Sequence, residues 1–183
     1  MNLRKLGVGA VIAAVFAMGL WSGIGSARWS SADQAIALTA TLRAGNEIPK
    51  PEGVSARAGG TFAAGLTRRG TGGTVSWRLT FRSLTGRAAA AHIHLGRAGK
   101  AGPVATSLCG PCRSRARGTA RVNARMVSAL LRGGAYVNVH TARNPAGEIR
   151  GQIRKGGKAP ASTTPTTPTT TTTTTTDYPN PYP

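Results

Sequence analysis

Acidic side chains are scarce in this 183-residue sequence, where 5 Asp and Glu stand against 24 Lys and Arg for a formal charge of +19. Within the body of the chain the carboxylates are Glu47, Glu52 and Glu148, with Asp33 at its edge, and no two are adjacent. A hydrolase built on paired carboxylates is therefore disfavoured. Aromatic residues are few, at 5%, which argues against aromatic-rich cores and against a surface that stacks on bases. Only two cysteines and three histidines are present. No nucleophilic serine sits between glycines, no Ser-His-Asp set is recognisable, and no glycine loop ends in Lys-Ser/Thr to cradle phosphate. The chain reads as noncatalytic, and its length suits a single domain.

What is abundant is glycine, at 25 residues, together with 11 prolines, and these punctuate the chain into short segments. Arg4-Lys5 precede an uncharged, largely apolar run over residues 6–20, and Gly25-Ser26-Ala27 offers a cleavage site. This predicts a secretory signal over residues 1–27. The apolar run is shorter than the roughly 20 residues that cross a bilayer, so no membrane span is expected in the mature chain. Residues 159–183 are nearly all Thr and Pro. With no apolar side chains to offset the entropy of ordering, this segment is expected to be a disordered stalk, with threonines open to glycosylation.

The body alternates with period two. Val75, Trp77, Leu79 and Phe81 interleave with Thr74, Ser76, Arg78, Thr80 and Arg82, the pattern of a half-buried strand. Similar alternation runs through Ile36–Leu42, Phe62–Leu66, Ala135–Val139 and Ile149–Ile153. Strands so separated by glycine and proline predict an all-β fold, an antiparallel β-sandwich or barrel. Ala124, Val127, Leu130 and Leu131 instead fall at helical spacing, with Asn123 as N-cap and Gly133-Gly134 as terminator, which predicts one short helix near 124–132.

Cys109-Gly-Pro-Cys112 has C-x-x-C spacing. In an exported protein, and without a long helix after it, the pair most simply forms a local disulfide; a redox pair and a two-cysteine metal site are the alternatives. His92-Ile-His94 puts two imidazoles on one face of a strand, and His140 ends a second strand on the face it shares with Tyr136 and Asn138. Were the two strands neighbours, three imidazoles could hold one copper, zinc, iron or nickel ion, with Glu47 or Glu148 as a remote fourth ligand. The competing reading is that each histidine is a hydrogen-bonded structural residue.

Three stretches carry a resemblance to a known family: Leu38–Pro49, Ala91–Gly96 with Gly102-Pro-Val104, and Tyr136-Val-Asn-Val-His-Thr-Ala-Arg-Asn-Pro-Ala-Gly-Glu-Ile-Arg-Gly-Gln-Ile153. Together they resemble the CHRD domain, the module named after chordin, over about residues 34–154. The resemblance implies an antiparallel β fold and extracellular placement. Chordin's growth-factor antagonism does not carry over, because this chain has one such module and no cysteine-rich neighbour. The His-x-His strand is also similar to the copper-binding strand of copper/zinc superoxide dismutase, a β-sandwich to which the fold could be related. That analogy makes His92, His94 and His140 copper ligands. Three histidines cannot supply a bridging ligand and a second metal set, so dismutase activity is not expected.

These readings converge on a secreted CHRD protein with a binding or structural role at the cell surface or in the extracellular space. The alternative is a metalloprotein with a single copper or zinc ion on the histidine cluster. Fifteen basic residues and no acidic one lie between Gly53 and Gly147, concentrated at Arg113, Arg115, Arg117 and Arg121. Read as a loop, this arginine cluster predicts contact with anionic cell-surface polymers, with an unidentified extracellular protein as the other possible partner. Nucleic acid is disfavoured by export and by the lack of interleaved aromatics.

Overall fold

The computed structural model describes residues 35–159. The predicted signal segment and all of the Thr/Pro stalk except Ala159 lie outside the described residues. Nine strands and one helix follow in chain order: β1 (Ile36–Arg43), β2 (Gly59–Arg69), β3 (Gly72–Arg82), β4 (Ala88–Leu95), β5 (Val104–Cys109), β6 (Ala116–Val122), α1 (Ala124–Arg132), β7 (Ala135–Thr141), β8 (Ile149–Gln152) and β9 (Arg154–Lys155). Eight of them pair antiparallel in the order β5-β4-β7-β8-β1-β2-β3-β6, and β9 pairs with β1. Because β5 and β6, the two ends of this order, approach each other, the sheet curls into a nearly closed barrel. Of the two architectures the alternation permits, the molecule adopts the barrel.

Period-two patterning decides what faces inward. Leu38, Ala40 and Leu42 of β1, Phe62, Ala64 and Leu66 of β2, and Val75, Trp77 and Leu79 of β3 are all buried in one core. Ala91 and Ile93 of β4, Val137 and Val139 of β7, and Ile149 join them from the other half of the barrel. The helix forms where its spacing predicts. Asn123 accepts a hydrogen bond from the Met126 N–H at 3.0 Å, Gly133 ends the helix at φ 68°, and Met126, Val127 and Leu130 are driven into the core. The expected Ile149–Ile153 strand is divided at Ile153. Its first part pairs with β7, and the residues after Ile153 pair with Leu38 and Thr39 of β1.

The segment expected to be an arginine-rich loop is corrected by β6. Arg117 and Arg121 lie on a strand paired with β3, and only Arg113 and Arg115 sit in the preceding turn. The alternation was there, but before Val122 its inward positions are Ala116, Gly118 and Ala120, too small to register as hydrophobic. At Gly118 the size is required by what it faces: a Cβ there would stand 2.8 Å from the Trp77 ring. The Cys109–Cys112 disulfide is formed and closes the turn between β5 and β6, with Cys112 buried against the core.

Two substitutions separate core from cap. Phe62→Ala should lower stability by about 3–5 kcal/mol through the cavity it leaves, and Asn123→Ala by about 1 kcal/mol through the lost cap; urea denaturation reads both.

Candidate metal centre

Strands β4 and β7 are hydrogen-bonded neighbours, in the register His94↔Tyr136, His92↔Asn138 and Ala90↔His140. Since Ile93, Val137 and Val139 point into the core, His92, His94, Tyr136, Asn138 and His140 share the barrel's other face. His140 is diagonal to His92 on that face, within reach of a long side chain. Three imidazoles meet there. One ring nitrogen of each lies within 4.8 Å of the others, with His92 Nδ1 3.0 Å from His140 Nε2. Sequence spacing thus located all three, and the strand pairing brings them together.

Each of two rings is oriented by a backbone carbonyl. His94 Nδ1 is 2.8 Å from the Gly102 carbonyl oxygen, and His140 Nδ1 is 2.8 Å from that of Pro145. A carbonyl only accepts, so both Nδ1 atoms carry the proton and both Nε2 atoms keep a lone pair. His94 Nε2 is buried and makes no hydrogen bond. Burial, foremost, together with the neighbouring imidazoles pushes His92 down to about 4. Desolvation likewise lowers His94 and His140, against the opposing pull of their carbonyl partners. At neutral pH the cluster is uncharged; the His94 Nε2 lone pair is free, and that of His140 Nε2 accepts from His92 Nδ1–H.

Two loops supply these carbonyls, and each is held by residues that spacing alone did not single out. Gly102 donates its N–H to Tyr136 Oη at 3.1 Å, while the Tyr136 ring stacks on His94 with centroids 4.8 Å apart and planes 11° from parallel. A side chain at Gly102 would overlap the Leu95 carbonyl, so only glycine brings this carbonyl to His94. Arg150 is buried, lies 3.4 Å above the Tyr136 ring, and donates to the carbonyls of Lys100 at 2.7 Å and Arg97 at 3.2 Å. It ties the 96–103 loop to β8 and clamps the tyrosine from its guanidinium side.

The loop carrying Pro145 is organised by Glu148. Its carboxylate accepts from the Thr85 N–H at 2.6 Å, from the Thr85 and Thr141 hydroxyls at 2.5 and 2.6 Å, and from Asn144 Nδ2 at 3.2 Å. Burial raises the Glu148 pKa, but the bonds from Thr141, Thr85 and Asn144 outweigh it and hold the carboxyl below its ordinary value. Its oxygens are spent, and Glu148 is not a fourth metal ligand. Neither is Glu47. It is buried beside Asn138, whose amide interacts with both Glu47 and His94, and it lies outside the three-histidine cluster. Desolvation raises Glu47 to about 7, against the lowering effects of the Ile48 N–H, Arg150 and Asn138.

A carboxyl raised in this way stabilises the fold while protonated, fully below pH 4.5, and that contribution is lost as pH rises through about 7. Glu47→Gln should therefore raise stability at pH 8 by up to about 3 kcal/mol and flatten its slope between pH 4.5 and 7. Denaturant titrations across that range check this, and an unchanged slope contradicts it.

Neither the curated proteins nor the solved structures provide a match to this chain. A family model for the CHRD domain does match, over residues 38–153, a span that runs from β1 to the end of β8 and contains the histidines, both carbonyl-bearing loops, Glu148 and Arg150. The chain belongs to the CHRD domain family.

Proposed function

We propose that this protein is an exported, noncatalytic CHRD module that holds one transition-metal ion on His92, His94 and His140, copper(II) in preference to zinc. The observation that carries the reading is the convergence of the three imidazoles, two with their lone pairs fixed inward by backbone carbonyls. Imidazole nitrogens suit both metals, and by the general affinity order a site of this donor set would hold copper(II) more tightly than zinc. To ligate through Nδ1, His92 would release its hydrogen bond to His140 and carry its proton on Nε2 instead.

Among the described residues no fourth protein ligand completes the set, which leaves coordination positions for water or a small ligand. No general base faces the ion, since Asn138 stands between Glu47 and His94 and Glu148 is fully engaged. Holding the metal, or presenting it to a partner, fits this arrangement better than turnover. Export is supported by the composition of residues 1–27 and by the Cys109–Cys112 disulfide, which suits an oxidising compartment.

Purified mature protein loaded with copper or zinc and then dialysed should retain one metal per chain, with copper displacing zinc. The double variant His92→Ala, His94→Ala should retain less than a tenth of that while keeping its circular dichroism spectrum. If the unaltered protein retains no metal, the 3.0 Å contact between His92 and His140 is a structural hydrogen bond and the reading fails.

A further inference from the structure

Of the three described carboxylates, Glu47 and Glu148 are fully buried, so the exposed surface presents Glu52 as its one acid against a large excess of arginine. The arginines are not evenly scattered. On the outer face of β3 and β6 the register places Arg121 beside Thr74 and Arg117 directly opposite Arg78, and Arg82 follows four residues further along β3. All four are exposed. Like charges directly opposite on a sheet are destabilising, and no carboxylate is present in either strand to relieve them.

The positions between them are small or hydroxylic. Ser76 faces Thr119, and Thr80 pairs with Thr61 through hydroxyls 2.6 Å apart. The turn before β6 is fastened to the same face, because the Ser114 hydroxyl donates to the Phe81 carbonyl at 2.7 Å and accepts from its N–H at 3.1 Å. This extends the pairing by a side-chain rung and holds exposed Arg115 alongside the lane.

We infer that this face of β3 and β6 is a binding lane for a linear polyanion, an extended glycopolymer bearing a carboxylate or phosphodiester on each repeat. Stations at Thr74–Arg121, Arg78–Arg117 and Arg82 recur every four residues, which is about 14 Å per step and about 27 Å overall at strand rise. A flexible chain with a charge every few ångströms can meet each station, and the low lane between them lets it lie flat. A single small anion would engage one station only. The inference does not depend on the metal centre, since none of these residues touches the histidines.

The test uses the mature protein with polygalacturonate as the carboxylate probe and poly(glycerol phosphate) as the phosphodiester probe. Arg78→Gln with Arg117→Gln should weaken binding at least tenfold and flatten the dependence of log affinity on log salt by about 1.4, the equivalent of two charge contacts on a flexible strand. The thermal midpoint should not fall, because a like-charge pair is relieved. Arg125→Gln with Arg132→Gln on α1, which removes the same charge elsewhere, should change binding less than twofold. Oligomers shorter than about 27 Å should bind more weakly than longer ones. Binding of one probe alone identifies the anion, and binding of both assigns recognition to charge spacing. Equal losses in the two double variants, no binding of either probe, or tighter binding of duplex DNA would overturn the inference.

Discussion

Two backbone carbonyls, those of Gly102 and Pro145, set the character of the histidine cluster, because they determine which nitrogen of His94 and His140 keeps its lone pair. Everything around them serves to hold those oxygens still. Arg150 is buried at a desolvation cost that its carbonyl partners and the Tyr136 ring offset, and the result is a fastened 96–103 loop. Glu148 is buried on the opposite side of the site with donors from two threonines and an asparagine, and the result is a fastened 142–148 loop. The barrel's part is to place β4 against β7 in the one register that brings His94 over Tyr136 and His140 diagonal to His92. A slip of β4 by one residue would send His92 and His94 into the core and leave His140 alone on the outer face.

This division explains what could be read before the fold was in view. Core strands such as Val75–Phe81 announce themselves because large apolar residues alternate with polar ones, and α1 does so through its cap, spacing and terminating glycine. His92, His94 and His140 were legible for the same reason: their period-two positions fix a common face, lacking only the pairing of β4 with β7. Strand β6 was not legible, because Trp77 fills the space a side chain at Gly118 would occupy and the inward positions before Val122 are only alanine and glycine. The supports were hidden for a different reason. Arg150 and Glu148 are charged residues in the interior, and no local pattern says that a charged residue will be buried. The signal that could have found them is the run Asn144-Pro-Ala-Gly-Glu-Ile-Arg150 itself, in which an Asn–Pro turn and a glycine with φ 133° deliver a carboxylate and a guanidinium to opposite loops.

The charge imbalance also changes meaning once burial is known. Two of the three described carboxylates are consumed inside the molecule, one to hold a loop and one, at about 7, beside the Asn138 amide. Almost none remain to neutralise the surface, so the excess of arginine is expressed outward, and on β3 and β6 it is expressed in register. The interior uses charge sparingly to preorganise a neutral imidazole cluster, and the exterior leaves charge uncompensated. The histidine face proposed to hold a metal and the cationic face can coexist on one small barrel because alternate strand positions separate them from the core that both depend on.

The proposed metal site depends most directly on the proton positions of the imidazoles. Long-range proton–nitrogen correlation spectra of the metal-free protein at pH 7, with the ring nitrogens labelled, report the tautomer of each histidine. The account predicts that His94 and His140 carry the proton on Nδ1, and that His92 moves its proton from Nδ1 to Nε2 when copper's diamagnetic substitute, zinc, is added. Protonation of His94 or His140 on Nε2 in the metal-free protein would contradict it.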